Sequence, residues 1–245
     1  MKKKIMAFVF LSSAFLLLIV GPQIGRASDK DKEKKMKKVL IVVTGHDQLG
    51  SSERKTGYYL SEVAHPYFKL IDAGFQIDFA SPKGKAAPMD ERSRTTDDAI
   101  NKKFLDDVKL MDKLNDTLAV GDIHAKDYVA IFFAGGHGTM WDFPDDKNIA
   151  QLASAIYEHG GVVAAVCHGP AALINIRLAD GKFLIAEKTM TAFTNDEEIA
   201  AGVEKIVPFA LESKLVERGA KFKKTARWQA NVIVDERLVT GQNPA

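Results

Sequence analysis

The chain has 245 residues, of which 46% are hydrophobic, 27% charged and 9% aromatic. That composition fits one large globular domain or two small ones and excludes a disordered chain, a collagen-like fibre and a polytopic membrane protein. A single cysteine excludes an internal disulfide and a four-cysteine zinc site. The formal net charge of +2 comes from the first 27 residues, where Lys2, Lys3, Lys4 and Arg26 stand without an acid. The rest of the chain carries −2, so nothing in the charge points to a nucleic-acid partner.

Residues 1–27 have the layout of a secretory signal peptide. Lys2–Lys4 form a positive start, Ile5–Val20 an apolar stretch broken only by Ser12 and Ser13, and Gly25 and Ala27 the small residues before cleavage. The apolar run is shorter than the ~20 residues of a comfortable membrane span, so export is expected, with an uncleaved anchor as the alternative. No cysteine adjoins the run, which excludes a lipoprotein anchor. Residues 28–37 are almost wholly charged and read as a solvated linker ahead of a domain over 38–245.

In that domain short apolar runs alternate with amphipathic segments. Val39–Thr44 reads as a strand buried on both faces, Gly57–Ala73 as a helix with Pro66 as a predicted kink, and Phe75–Ala80 as a second strand. Ala99–Leu114 reads as a helix whose charged stretch from Lys102 to Lys113 is an exposed face. Val129–Ala134 is a third buried strand, running into Gly135-Gly136-His137-Gly138. Then come a helix over Asn148–Glu158, a strand over Val162–Val166 and a helix opened by Gly169-Pro170. Thr189–Phe193 is a short strand, Glu197–Arg218 a helical stretch interrupted by Pro208, and Val232–Val234 with Leu238–Thr240 a terminal hairpin. Strand and helix alternate with short connections, which predicts an α/β fold with a mostly parallel sheet.

Sites in such sheets form at the carboxyl ends of strands. Cys167 lies there, between a buried strand and a helix start, with small Ala165 and Gly169 two residues to either side. This is the geometry of a nucleophile elbow, and a helix N-terminus would favour the thiolate and depress its pKa. The glycine-rich turn at 135–138 lets backbone N–H groups approach a reacting oxygen, though a sharp turn alone explains the same glycines. Glu62 sits among apolar Leu60, Val63 and Ala64; burial would raise its pKa and suit it to proton transfer, whereas spacing alone favours a solvated glutamate. Glu62-x-x-His65 has the spacing of a di-iron carboxylate motif, but no second copy and no four-helix bundle accompany it, so no metal is expected. His46, His124 and His159 read as solvated.

Four stretches together resemble the ThiJ/PfpI superfamily: Thr56–Tyr67 (TGYYLSEVAHPY), Ala80–Gly84 (ASPKG), Ala134–Asp142 (AGGHGTMWD) and Ala165–Pro170 (AVCHGP). Within it the match is to the branch of heat-shock-type chaperones and glutathione-independent glyoxalases. Thr191–Glu198 and the terminal Thr240–Ala245 also match, so the resemblance runs from about Lys38 to the end. It implies a flavodoxin-like sandwich, usually dimeric, and often labelled class I glutamine-amidotransferase-like. By position it implies Cys167 as nucleophile, His168 as its acid–base partner, Glu62 as the carboxylate beside the thiol and Glu198, or else Glu197, as the acid orienting the histidine. It further implies an oxyanion hole from the backbone N–H groups of Gly136 and His168. Glutaminase activity is not expected, because that class uses a His-x-Glu pair near the C-terminus and no histidine follows His168.

The expected function is therefore conversion of methylglyoxal or a related small reactive carbonyl to a 2-hydroxy acid, without cofactor, metal or glutathione. The alternatives are a stress-induced holdase that binds unfolded proteins, an oxidation sensor built on Cys167 and, more weakly, a peptidase. A homodimer is the expected assembly.

Overall fold

Val39, Ile41 and Val43 belong to one hydrophobic core, and Leu40 and Val42 to another. Such alternation in an unbroken apolar run places a strand at the centre of a sheet covered on both faces. In the computed structural model, which describes residues 36–245, this strand is β1 (Lys38–Val42). The expected signal peptide and most of the linker lie outside the described residues.

The chain continues through α1 (Leu60–Asp72), β2 (Gln76–Ser81), α2 (Ala99–Asp106), α3 (Val108–Asn115), β3 (Leu118–Ala119), β4 (Tyr128–Phe133) and α4 (Thr139–Asp142). It then forms α5 (Lys147–Glu158), β5 (Val162–Val166), β6 (Thr189–Met190), α6 (Asn195–Ala200), α7 (Leu211–Glu217), β7 (Lys221–Phe222), β8 (Val232–Asp235) and β9 (Leu238–Gly241). The main sheet has the order β3-β2-β1-β4-β5-β9-β8 and is parallel except for the β8–β9 hairpin; β6 and β7 form a separate parallel pair. Leu60, Val63 and Ala64 of α1, Phe104 of α2 and Leu110 and Leu114 of α3 fill the core on one side. Ile149, Leu152 and Ile156 of α5 and Leu211 and Leu215 of α7 belong to the core on the other. This is the flavodoxin-like α/β sandwich.

Several elements differ from the sequence pattern for local reasons. The first helix begins at Leu60 rather than Gly57, because the amides of Tyr58 and Tyr59 bond to Pro88 O (2.8 Å) and Gly135 O (3.0 Å) and so tie this segment to neighbouring loops. It then runs through Pro66. The helix expected over 99–114 is two, divided at Asp107, whose carboxylate accepts the Leu110 amide and caps α3. The helix expected after Pro170 is a single short 3₁₀ segment, Gly169–Leu173. The stretch from 197 to 218 is likewise two helices, α6 opening with a capping box between Thr194 and Glu197.

Candidate active site

β1 is the point where the strand order reverses: the chain goes next to β2 on one side and later to β4 on the other. A crevice opens at the carboxyl ends of the strands around such a point. Gly135 and Gly136 leave β4 there and Cys167 leaves the adjacent β5.

Cys167 has φ +56°, a left-handed conformation uncommon for a side chain other than glycine, asparagine or aspartate. Its amide donates to Gly241 O (3.0 Å) and its carbonyl accepts from Phe193 N–H (2.8 Å), so two neighbouring segments hold the strained turn. The N–H groups of Gly136 and His168 are directed at the sulfur. Gly136 has φ +104°, and a Cβ there would lie 2.1 Å from Gly57 O, so only glycine can bring this amide to the thiol.

Glu62 reaches the same place from the first turn of α1. It is buried, its Oε2 accepts the Gly135 amide at 2.8 Å, and its carboxyl lies within hydrogen-bonding reach of the thiol. Burial pushes its pKa up to about 8, against the lowering pull of Cys167 and the Gly135 amide. Its Oε1 is buried with no partner meeting full hydrogen-bond geometry among the described residues. The solvated glutamate that spacing alone favours is thus not found: the carboxyl is enclosed by Gly135 after β4 and Cys167 after β5.

Burial also raises the Cys167 thiol well above its usual value, and the neighbouring Glu62 adds to the effect. This corrects the expectation of a depressed pKa. The 3₁₀ segment after Cys167 is too short to supply a strong helix dipole, while a buried carboxyl stands beside the sulfur.

On the other side of the sulfur, His168 Nδ1 lies 3.2 Å from Sγ, and its Nε2 donates to Glu198 Oε2 at 3.0 Å. Glu198 Oε1 accepts from His137 Nε2 at 2.9 Å. Burial would raise the Glu198 carboxyl, but His168 and His137 outweigh it and hold it well below the usual carboxylate range. An ionised carboxylate only accepts, so both Nε2 atoms carry hydrogen; in a neutral His168 this leaves Nδ1 as a bare acceptor facing the thiol. Burial, with His168 nearby, lowers His137 to about 4 and keeps it neutral, the Glu198 bond opposing this.

Cys167, His168, Glu62 and Glu198 therefore converge, with the Gly136 and His168 amides between them. Glu197 does not join them. It accepts from the amides of Thr194 and Trp228 and the side chains of Gln242 and Asn243, and so ties α6 to the C-terminal segment. His137 is the participant that sequence reasoning missed, because its turn was read only for its glycines. His124 and His159 are exposed as expected; His46 is not, since its ring stacks on Trp141 at 5.1 Å. His65 pairs with Asp98 at 3.0 Å. His137, His168 and Glu198 place three potential metal-ligating atoms within 4.8 Å of one another. Both Nε2 atoms are committed as donors to Glu198, so neither offers a lone pair to a metal in this arrangement. Cys167, His137 and His168 line a cavity of about 260 Å³ together with Tyr59, Arg92, Phe193 and Trp228.

Known proteins share this chain's sequence and architecture. A glutathione-independent glyoxalase of Saccharomyces cerevisiae is 38% identical over 221 residues, covering 85% of this chain and 92% of its own length. The crystal structure of glyoxalase III from Candida albicans superposes with a TM-score of 0.80 at 31% identity, over 85% of this chain and 92% of that one. The 24 kDa Rapid Encystment Protein of Francisella tularensis superposes with a TM-score of 0.83 at 45% identity, over 85% and 93%. Residues 55–245 match the DJ-1/PfpI family, spanning Glu62, the glycine turn, Cys167 and Glu198. The chain belongs to the DJ-1/PfpI family.

Proposed function

We propose that this protein is a glutathione-independent glyoxalase that converts methylglyoxal or a related 2-oxoaldehyde to the 2-hydroxy acid, with Cys167 as its nucleophile. The observation that carries this reading is the position of one thiol between a proton acceptor, His168 Nδ1, and a buried carboxyl of raised pKa, Glu62, beneath two amide donors. The names of the yeast relatives support the same substrate class.

As Sγ attacks the aldehyde carbon, His168 Nδ1 takes the thiol proton, and Glu198 stabilises the imidazolium that forms. The Gly136 and His168 amides receive the developing oxyanion of the hemithioacetal. Glu62 in its ionised form removes the hydrogen of the former aldehyde carbon as a proton and returns it to the former ketone carbon through an enediol. A pKa of about 8 lets it act in both directions near neutral pH. Water, activated by His168, then hydrolyses the thioester and frees the thiol. The aldehyde carbon gains the oxygen of water and the ketone carbon gains hydrogen, so no outside oxidant or reductant is needed.

The test is product analysis after adding methylglyoxal to the purified protein without glutathione. Lactate should form in step with methylglyoxal loss, and Cys167→Ala should form none; absence of lactate, or equal lactate from the variant, refutes the assignment. The leader pattern supports export as the setting. Protein from the native host should begin near Ser28 on N-terminal sequencing, and a Met1 start in a soluble cytosolic fraction would refute that.

A further inference from the structure

We propose that the site is built for 2-oxoaldehydes bearing an aryl substituent rather than for methylglyoxal itself, with Trp228 as the specificity-determining wall. This rests on the glyoxalase reading and adds the substituent to it.

The cavity, of about 260 Å³, reaches from the reacting atoms to the half-exposed Trp228. Its lining is mixed in character. Cys167, His137, His168 and Arg92 supply polar groups suited to the dicarbonyl, and Tyr59, Phe193 and Trp228 supply aromatic surface. Phe193 lies over His168 at 4.3 Å between ring centroids and meets Trp228 at 5.6 Å, so an aromatic wall leads outward from the reacting atoms.

Trp228 is held on this wall at a cost. Its φ of +62° is left-handed, a strained conformation for a bulky residue, and the residue stays 47% exposed instead of collapsing into a core. Glu197 holds it there. Glu197 Oε1 accepts the Trp228 amide at 3.0 Å and the side chain of Asn243 at 2.7 Å, and Asn243 in turn donates to Gln229 O at 3.1 Å. Two adjacent carboxylates of α6 thus divide the work: Glu198 faces the histidines beside the thiol, and Glu197 fixes the backbone of Trp228. A half-exposed aromatic held beside a reactive cysteine offers a planar substituent a face to stack on. The chemistry is unchanged: phenylglyoxal plus water gives mandelate, with the aldehyde hydrogen moved as a proton to the ketone carbon.

The experiment compares initial rates on phenylglyoxal and methylglyoxal for the purified chain. The ratio of kcat/KM should favour phenylglyoxal by at least about tenfold, the scale on which an apolar pocket discriminates. In Trp228→Ala the ratio should fall at least about tenfold, mainly through KM, and Trp228→Phe should restore most of it. A ratio below one in the wild type, or a ratio unchanged in Trp228→Ala, overturns the proposal. A chain that consumes neither aldehyde refutes the glyoxalase reading instead. The wall is then judged by calorimetric titration of Cys167→Ala with mandelate and with lactate, which carry no dicarbonyl able to modify Arg92 of the cavity lining. Tighter binding of mandelate that is lost with Trp228→Ala upholds the aryl site, and equal binding of the two acids overturns it.

Discussion

The rings of His137 and His168 stand 4.1 Å apart, centroid to centroid, and donate to different oxygens of the same carboxylate, Glu198. His137 thereby takes up the oxygen that His168 leaves free, and the carboxylate cannot rotate away from the imidazole that faces the thiol. His137→Phe keeps a ring against His168 and Phe193 but removes the donor. A hydrogen bond to a charged group is worth about 1.5–3 kcal/mol, so kcat on methylglyoxal should fall about tenfold or more. His137→Gln, which still offers an N–H, should recover part of the loss. A kcat within twofold of wild type in His137→Phe would show that Glu198 needs no second anchor.

Glu62→Gln keeps the size and polarity of the side chain and removes its basicity. Loss of general acid–base catalysis costs about 10²–10⁴ in rate, and turnover should drop on that scale. Glu198→Gln should cost less, because the imidazole of His168 remains and only its orientation and charge support weaken. Steady-state rates of both variants decide the order; wild-type turnover by Glu62→Gln would remove this carboxyl from the proton path.

The core of this arrangement was legible in the sequence because its parts sit at ends of strongly patterned elements. The strand Val162–Val166 has the predicted bounds, and the single cysteine follows it directly. Glu62 could be placed on the first helix, but its burial could not. That depends on α1 pressing against the β4 and β5 loops, and the pattern of α1 alone is that of any amphipathic helix. The pairing of His137 with Glu198 spans 61 positions and carries no local signal. The splitting of the helix at Asp107 turns on one capping carboxylate within an otherwise helical pattern, where a cap and an ordinary surface acid read alike. The short 3₁₀ segment after Cys167 was hidden for the same reason: Gly169-Pro170 opens a helix without fixing its length.

That short segment changes the expected behaviour of the thiol. With burial and Glu62 both raising its pKa, free Cys167 should react slowly with iodoacetamide at pH 7, and the rate should climb only above pH 9. In Glu62→Gln the carboxyl's contribution is gone, so the midpoint should move down. Alkylation rates between pH 6 and 10, followed by mass spectrometry, check both statements. A wild-type midpoint below 8 would show that the amides of Gly136 and His168 outweigh burial.

Glu62 should also leave a mark on folding. Its pKa rises from 4.5 to about 8 on folding, so between these values the folded chain holds the proton more tightly than the unfolded chain does. Stability must then fall as pH rises through that window, by at most about 1.4 kcal/mol per pH unit. Below pH 6.5 other groups obscure the trend. His137, lowered to about 4, makes stability rise with pH up to its usual value of 6.5, and Asp142, raised to about 6, makes it fall over the lower part of the range. The raised Cys167 thiol begins to count only near its usual value of 9. Between pH 6.5 and 8 the Glu62 carboxyl is the main group of this set still titrating. Urea unfolding should show the wild type losing up to about 2 kcal/mol across that interval and Glu62→Gln losing almost none. Parallel curves for the two proteins would mean that Glu62 is already ionised in the folded state at pH 6.5. Glu62 would then enter each turnover already in the ionised form that removes the proton from the aldehyde carbon, and its raised pKa would play no part in the transfer.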